Sequence, residues 1–320
     1  MLSICIPIFN FDVTSLVVIL HQQAVRQNIP AEVICIDDCS DIEFRVKNID
    51  ICNAYGRYIQ LNENIGRAKI RNLFLNYAQN DFLLFLDCDS VLITSDFVKK
   101  YADAILQNQA KVICGGRIYN EMKPSKQKLL RWRYGRKKES MPVSVRQRTP
   151  NNSFITSNFA VHKNTLTHIK FDERLVKYGH EDTLFGFQLK KNHIQIAHID
   201  NPILNGYLED NEEFIEKTEH GLVNLVYILQ FLNCDPEFIG DVTILKFHHK
   251  CQKLGINFVV AFLFTFLKPF LRLNLSKGYT NLIWFDFYKL GFFSKSYLAN
   301  TTKKYNSTIT NQNPLKYSKE

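Results

Sequence analysis

Through the first 120 residues of the chain, short apolar runs rich in Ile, Val and Phe alternate with segments whose apolar residues recur at helical spacing. This alternation is typical of an α/β domain with a mostly parallel central sheet flanked by helices. The predicted strands lie near Ser3–Phe9, Glu32–Asp37, Arg57–Leu61, Asp81–Asp87 and Val112–Tyr119. A first helix is expected after a cap at Asp12 or Thr14, and a later one from Ser95 to about Gln107.

Three further elements are predicted along the chain. They are a strand over Phe154–His162, an amphipathic helix over Glu181–Asn192 and a strand over Ile194–Ile199. After about Asn205 only helical patterns remain. We therefore expect an α/β domain over residues 1–208, a helical C-terminal extension over 209–299 and a flexible polar tail over 300–320.

Composition excludes several classes of protein. The chain has 320 residues and is 46% hydrophobic, which is enough for a large core. Its eight cysteines form no CxxC pair, so we expect a reducing cytosol and no disulfide framework. The first ten residues do not read as a signal peptide. The longest apolar run, Phe258–Leu267, is shorter than the roughly 20 residues of a spanning helix, so we expect no segment that crosses a bilayer. Together with the cysteine pattern this favours a cytoplasmic protein.

The net charge of +9 is unevenly distributed. Lys123–Arg148 holds ten basic residues against the single acid Glu139. Such a block attracts the phosphates of a substrate, nucleic acid or anionic lipid, although a solvated charged loop has the same composition. One hypothesis is a mobile flap, carrying Trp132 and Tyr134, that closes over a phosphate group.

The apolar run Phe82–Phe85 leads into "LDCDS", with Asp87 and Asp89 one residue apart. Ligands of parallel sheets bind outside the carboxyl ends of the strands. Further candidate ligand-binding residues lie at or just after the ends of the first two predicted strands: Pro7, Phe9, Asn10, Asp37, Asp38 and Ser40. The glycine-rich phosphate-binding motifs GxxxxGK[ST] and GxGxxG are both absent, so a bound phosphate would need another kind of binding site. Two carboxylates can provide such a site, because they hold a divalent cation that in turn binds a diphosphate leaving group.

A second acidic pair, Glu181 and Asp182, stands at the start of a predicted helix. Acids are favoured there by the helix dipole, so capping is one explanation. The other is catalysis, because the apolar residues Leu184, Phe185 and Leu189 would lock this helix against the core. An Asp with the ordinary pKa of about 3.9 is ionised at neutral pH and can serve as a general base.

Four separated segments carry a resemblance to a known family. They are "SICIPIFN" with "VICIDDCS", then "NENIGRAKIRN", then "LDCDS", then "FDERLVKYGHEDTLFG". In this order they resemble the family 2 glycosyltransferases of the GT-A fold, with "LDCDS" as the DxD motif and the last segment as the ED motif. The resemblance covers about Leu2–Glu209 and implies that residues 1–208 are a catalytic domain of the nucleotide-diphospho-sugar transferase fold.

The resemblance implies an inverting, Mn²⁺- or Mg²⁺-dependent transfer from a nucleotide-diphosphate sugar, UDP-linked by expectation, to a hydroxyl of a glycan or lipid-linked acceptor. This places the chain in polysaccharide or cell-surface glycan biosynthesis. The implied donor and acceptor residues are Pro7, Phe9, Asn10, Asp38, Asn64, Gly66, Arg67, Lys69, Arg71, Asp87, Ser157 and Asn158, the last two in the acceptor pocket. Asp182 would be the base with Glu181 beside it.

The metal ligands implied by the resemblance are Asp89, Asp87 and a third group. Related sequences read NPxxH after the ED helix, but "NPILNG" has Asn205 at the histidine position. Asn205 or His198 is therefore the candidate for the third ligand.

Two other functions compete with this interpretation. A nucleotidyltransferase acting on a sugar phosphate usually carries a glycine-rich basic loop after the first strand, and "IPIFNFD" lacks one. A non-catalytic nucleic-acid binder would use the basic block, but no recognised reading module is present, so we expect no nucleic-acid partner. The C-terminal segments "FVVAFLFTFLKPFLRLNL" and "NLIWFDFYKLGFF" mix aromatic residues with cations. They predict either peripheral contact with the inner face of the cell membrane or simple packing on the catalytic domain.

Overall fold

A computed structural model of the chain describes residues 1–175 and 178–312, with side chains through residue 300. Val176 and Lys177, inside the predicted ED motif, lie outside the described residues. The chain forms two compact units, Met1–Asp210 and Asn211–Glu320. The predicted edge of the α/β domain, after residue 208, lies two residues before the end of the first unit.

The first unit alternates strands and helices. Its strands are β1 Leu2–Ile8, β2 Ala31–Asp37, β3 Arg57–Gln60, β4 Phe82–Leu86, β5 Ser90–Leu92, β6 Val112–Cys114, β7 Arg117–Ile118, β8 Asn158–His162, β9 Ile196–His198 and β10 Ile203–Asn205. Its α-helices are α1 Thr14–Arg26, α2 Ile42–Tyr55, α3 Arg67–Leu73, α4 Phe97–Leu106, α5 Leu129–Tyr134, α6 Val143–Arg146, α7 Lys163–His168 and α8 Glu181–Lys191. Short 3-10 turns cover Phe74–Asn76 and Lys126–Lys128, and a π-helix covers Gly135–Glu139.

Seven of the described strands form the central sheet, in the order β3-β2-β1-β4-β8-β6-β9. Only β8 in that sheet runs antiparallel to its neighbours. Both faces are covered, as a parallel sheet requires: Ile4 and Ile6 of β1 join the core beneath α1 and α4, whereas Cys5 joins the opposite core with Phe74 and Phe85. The predicted α/β fold with a mostly parallel sheet and flanking helices is confirmed.

A second sheet of three described strands, β5-β10-β7, was not predicted. The predicted strand Val112–Tyr119 is wrong because it is broken at Gly115 and Gly116, where the chain leaves the central sheet. Gly116 has a φ of +90°, which disfavours other residues, and a Cβ on Gly115 would lie 2.5 Å from Asn158 Nδ2. Likewise the predicted strand Phe154–His162 is shorter, since residues before Asn158 are not strand.

The basic segment Lys123–Arg148 is helical and anchored rather than a free flap. The Arg131 side chain is buried and its Nε donates to Glu209 Oε2 at 2.9 Å. Arg146 is also buried, and donates to the carbonyl oxygens of Cys114 (3.1 Å), Gly115 (3.1 Å) and Ile199 (2.9 Å). Two of the ten cations are therefore structural, which weakens the interpretation of this segment as a nucleic-acid patch.

Within the residues described, the second unit is helical. Its helices are α9 Asn211–Phe231, α10 Pro236–Asp241, α11 Thr243–Lys253, α12 Asn257–Ser276 and α13 Leu282–Gln312. Phe264 of α12 packs on Tyr288 of α13 with ring centroids 5.2 Å apart. Residues 300–312 of the predicted flexible tail continue α13, and residues 313–320 lie outside the described residues.

The helix α12 corrects one sequence expectation. Among the described residues, it is the one helix long and apolar enough to cross a membrane, by length and composition alone. The apolar run Phe258–Leu267 ends at Lys268 in the sequence, but the helix continues past that charge to Ser276. Most of this apolar stretch is not buried in the fold.

Replacing Arg146 by Met should lower the free energy of unfolding by about 3 kcal/mol, because buried carbonyl oxygens lose a charged donor. Urea unfolding followed by far-UV circular dichroism measures it. The control is Arg148→Met, in the same segment but exposed, which should change the free energy of unfolding by less than about 0.5 kcal/mol. Equal effects of the two substitutions would show that Arg146 is not an anchor.

Candidate active site

The loops after β1 and β2 are joined by Asn10. Its Nδ2 donates to Asp41 Oδ2 at 2.9 Å and its Oδ1 accepts from the Asp41 backbone N–H at 2.7 Å. Asn10 has a φ of +49°, a left-handed conformation that Asn tolerates better than most residues. Phe9 lies beside it and is 51% exposed, while Pro7 sits within β1 opposite Ile36 of β2. These three predicted donor residues therefore share one edge of the sheet.

Asp38 holds the turn that leads into α3. Its two carboxylate oxygens accept the backbone N–H groups of Ile65 at 2.7 Å and Gly66 at 3.0 Å, and Asn64 Nδ2 donates to its carbonyl at 3.1 Å. Burial raises the pKa of the Asp38 carboxyl, although these two N–H donors oppose the shift. The structure thus joins the predicted donor residues Asp38, Asn64 and Gly66 in one unit. The predicted contact of Asp38 with uracil stays a prediction.

Asp87 is paired with a buried arginine of α3. Arg71 is 1% exposed and its Nη2 donates to Asp87 Oδ1 at 2.9 Å. Burial alone would raise the pKa of the Asp87 carboxyl, but the charges of Arg71, Arg67 and Arg117 outweigh burial, so the pKa is lowered. Asp87 is therefore ionised at neutral pH. The predicted donor residue Lys69, also on α3, is exposed.

Asp89 differs from Asp87, because among the described residues the structure gives it no hydrogen bond from an arginine like the one from Arg71 to Asp87. Burial, followed by the negative charge of Asp87, raises the pKa of Asp89 to about 6. The backbone carbonyl of Asp89 accepts the N–H of Gly206 at 2.9 Å, and Asn205 of β10 stands opposite Ser90 of β5. The unpredicted small sheet therefore brings Asn205 next to the DxD motif. Its amide nitrogen donates to the Tyr207 carbonyl, so its oxygen is the atom suited to a cation.

His198 is wrong as a metal ligand. Its Nδ1 lies 2.7 Å from Arg146 Nη1 and its Nε2 lies 2.9 Å from the carbonyl oxygen of Pro150. An arginine can only donate, so Nδ1 must accept and Nε2–H must donate. Burial and the Arg146 charge both lower the pKa of His198, although the Pro150 carbonyl opposes them. The neutral ring uses both nitrogens to anchor the basic segment.

The start of α8 holds the acidic pair. Glu181 is 8% exposed, accepts the Gly179 N–H at 3.1 Å and lies 3.6 Å from Arg67 Nη1. Asp182 accepts the backbone N–H of Thr183 at 2.7 Å. Burial, then the charge of Glu181, raises the pKa of Asp182 to about 6. The expectation of an ordinary pKa was wrong, because sequence alone does not reveal burial. At pH 7 and above, Asp182 is still mostly ionised.

Arg117 is the important residue that sequence reasoning missed. Its guanidinium lowers the pKa of three carboxyls, those of Asp87, Asp89 and Asp182, against the larger effect of burial. It is held by Ser157 Oγ, 2.7 Å from its Nη2 and 3.2 Å from its Nε. The residue was hidden inside a predicted continuous strand. The signal that could have found it is the Gly115–Gly116 pair before it, a common sign of a strand that ends.

The two predicted acceptor-pocket residues have structural contacts instead. Asn158 is fully buried: its Oδ1 accepts from Tyr101 Oη at 2.7 Å, and its Nδ2 donates to the carbonyls of Gly116 and Asn201, both at 2.8 Å. With its amide satisfied in this way, Asn158 is wrong as a pocket residue. Ser157 is 2% exposed and positions Arg117.

The residues present fit a hard divalent cation. In the part of the chain that the structure describes, no three His, Cys, Asp or Glu side chains are grouped as a metal site. The candidate set is instead two carboxylates, Asp87 and Asp89, with the amide oxygen of Asn205 on the paired strand. Oxygen donors of this kind suit Mg²⁺ and Mn²⁺. Burial, and then the charge of Asp87, raises the pKa of Asp89, and a bound cation would favour its ionised form.

Comparison with known families gives one match. The model of glycosyl transferase family 2 matches residues 3–175, somewhat over half of the 320 residues. No curated protein matches the chain by sequence. The matched range contains the Asp38 turn, Arg71, the DxD motif and Arg117, and it ends before the acidic pair of α8.

Solved structures share the fold. S. aureus TarS 1-349 in complex with UDP has a TM-score of 0.52 at 18% identity and covers 100% of this chain and 94% of that chain. The mannosyltransferase PcManGT from Pyrobaculum calidifontis, with GDP-Man and Mn²⁺, has a TM-score of 0.56 at 11% identity, covering 95% and 86%. Glucosyl-3-phosphoglycerate synthase from Mycobacterium tuberculosis, with Mn²⁺, UDP-glucose and phosphoglyceric acid, has a TM-score of 0.50 at 16% identity, covering 71% and 79%.

These identities are too low to carry residue roles and show the fold alone. Against the longer structure of S. aureus TarS, the chain spans 43% of that protein's length.

Replacing Asp38 by Asn should loosen the turn at residues 64–66, because an amide can accept only one of the two N–H bonds. Hydrogen exchange of the Ile65 and Gly66 amides should become at least about tenfold faster, equivalent to about 1.4 kcal/mol. In Asp41→Asn, which alters an exposed carboxylate of the neighbouring loop, the same amides should exchange as in the parent protein. Unchanged exchange in Asp38→Asn would show that the turn does not depend on this carboxylate.

Proposed function

The chain belongs to glycosyl transferase family 2, and on that premise we propose that it is an inverting glycosyltransferase. It moves a sugar from a nucleotide-diphosphate donor to a hydroxyl of a glycan or lipid-linked saccharide in the cytoplasm. The product belongs to polysaccharide or cell-surface glycan biosynthesis.

One observation carries this proposal. Helix α3 contacts both acidic groups: Arg71 Nη2 donates to Asp87 Oδ1 at 2.9 Å, and Arg67 Nη1 lies 3.6 Å from Glu181 Oε1. The carboxylates of the β4–β5 turn and those at the start of α8 therefore face the same helix. A site with both carboxylates and arginines suits a diphosphate sugar: the carboxylates bind a cation and the proton of an acceptor, and the arginines face the phosphates. A site for a neutral ligand would not need carboxylates and arginines that are both partly buried.

A divalent cation, Mn²⁺ or Mg²⁺, bound by Asp89, Asp87 and Asn205 would neutralise charge on the departing diphosphate. The known structures that support a metal are PcManGT and the mycobacterial synthase, each solved with Mn²⁺. A UDP-linked donor is supported by TarS, solved with UDP, and by the synthase, solved with UDP-glucose.

Asp182 is the proposed general base. Its carboxylate takes the proton of the acceptor hydroxyl as that oxygen forms a bond to the anomeric carbon, and the bond from that carbon to the diphosphate breaks on the opposite side. The nucleoside diphosphate leaves with the electron pair of that bond. A pKa of about 6 suits this task, since the base is mostly ionised at pH 7 yet more basic than an ordinary aspartate.

The remaining residues of the site position the start of α8 and supply positive charge. Glu181 accepts the Gly179 N–H and approaches Arg67, so it fixes the start of α8 beside α3. Arg71 is committed to Asp87. The exposed Lys69 and Arg67, together with Arg117, are the cations that could meet the donor phosphates.

Asp182→Asn should keep nucleotide-sugar binding and lower sugar transfer by about 10²- to 10⁴-fold, because the amide cannot accept a proton. Isothermal titration with UDP-glucose or UDP-N-acetylglucosamine and Mn²⁺ measures binding, and release of UDP in the presence of acceptor measures transfer. The matched control is Glu43→Gln, an exposed acid in the first turn of α2, which should leave both unchanged. Near-normal transfer by Asp182→Asn would rule out the proposed base.

The pH dependence follows from the raised pKa of Asp182. Activity needs the ionised base, so kcat at saturating donor and Mn²⁺ should fall as the pH drops through about 6. Burial is the larger cause of the shift and the charge of Glu181 the next, so Glu181→Gln should move this acid limb to lower pH. Glu43→Gln should leave the limb where it is. An acid limb that stays or moves upward in Glu181→Gln would contradict the assignment.

A further inference from the structure

The second unit exposes an unusual apolar surface on α12. Phe258, Phe262, Phe266 and Phe270 are 66%, 63%, 68% and 65% exposed, respectively. Residues four apart lie along one side of a helix, so these rings form a continuous line, here called the phenylalanine stripe. Val259, Leu263 and Leu273 flank it and are also exposed. Monomeric proteins seldom leave so large an apolar strip in water.

The opposite side of α12 already has its partner inside the second unit. Ala261, Phe264 and Leu271 are buried, and Phe264 packs on Tyr288 and against Gly291 of α13, where a Cβ would lie 2.5 Å from the ring. The stripe is therefore a second apolar face that this packing does not use.

The segment of chain that contains the stripe carries charges of one sign. From Thr243 to Phe285 the sequence has no Asp or Glu and six Lys or Arg residues. Four of these lysines are exposed: Lys246, Lys250, Lys253 and Lys277. This combination of an apolar line with neighbouring cations complements an anionic lipid surface. A second copy meeting the same face would bring equal charges together, which opposes self-association.

Ion pairs argue that α12 lies along a membrane rather than across it. Lys268 Nζ is 3.0 Å from Glu219 Oε1, and Arg272 pairs with Glu219 at 3.3 Å and Glu216 at 3.2 Å, both on α9. A spanning α12 would carry these charged groups into hydrocarbon, where they are disfavoured. In the interfacial plane the stripe enters the lipid and the charges on the other side stay in water.

We propose that the phenylalanine stripe and the exposed lysines of α11 form a peripheral membrane-binding surface for an anionic bilayer. The surface would hold the protein in the headgroup–acyl boundary. The proposal does not depend on the glycosyltransferase assignment, because binding is measured without donor, acceptor or metal.

The test is flotation of the full chain with vesicles of phosphatidylcholine containing phosphatidylglycerol, and with vesicles of phosphatidylcholine alone. The chain should float with the anionic vesicles, less at high salt, and be released by alkaline carbonate. Phe262→Ser/Phe266→Ser should bind at least about tenfold more weakly. Lys250→Gln/Lys253→Gln should lose about fivefold per lysine on anionic vesicles at low salt.

The matched control is Ile42→Ser/Val46→Ser, which removes two apolar side chains of α2 that are 73% and 64% exposed. It should bind vesicles like the parent protein. Circular dichroism and thermal melting verify that each variant is folded, as surface substitutions should be. As a second measurement, the emission of Phe266→Trp should shift to the blue on anionic vesicles.

Several results would overturn the proposal. They are absence of vesicle binding by the parent chain, equal binding by Phe262→Ser/Phe266→Ser, and resistance to carbonate, which would indicate a spanning helix. A dimer in light scattering that becomes monomeric in Phe262→Ser/Phe266→Ser, with no vesicle binding, would assign the stripe to a second copy.

Discussion

Negative charges crowded at the end of the central sheet are the constraint on which the candidate site depends. Asp87, Asp89 and Asp182 are all partly buried, and burial raises the pKa of each carboxyl. Such a cluster is stable only when cations face it. Arg71 bonds directly to Asp87, and Arg117 acts on all three. Because the pKa is lowered at Asp87 but raised at Asp89 and Asp182, the carboxylates are not equivalent.

The arginines are held in place by further hydrogen bonds and ion pairs within the first unit. Arg117 is held by Ser157 and lies 3.5 Å from Glu139, while Arg131 joins Glu139 to Glu209. Glu139 was seen in the sequence only as the lone acid in a basic block. In the fold its pKa is lowered to about 2, since Arg131 and Arg117 outweigh its burial. The basic segment is thus a support of the site as well as a charged surface.

Most of the central sheet could be predicted because its signals are local. β1, β2 and β4 are continuous apolar runs, and each is followed by its polar residues, so Asn10, Asp38 and Asp87 were found from the strand ends. Prediction failed for the three short strands of the second sheet. β5, β7 and β10 carry almost no periodicity, and they form because they pair with one another. That small sheet places Asn205 opposite Ser90, next to the predicted DxD motif, which the sequence pattern did not reveal.

The sequence by itself determined the α/β class and the family resemblance, and it supplied the predicted DxD and ED carboxylates, because each is encoded within a few consecutive residues. Only the tertiary structure decided the burial of Asn158, the commitment of His198 to Arg146, the raised pKa of Asp182 and the central position of Arg117. These properties arise from side chains that are distant along the chain. Burial and charge compensation are properties of a three-dimensional neighbourhood, and a linear pattern does not specify which neighbours a residue will have.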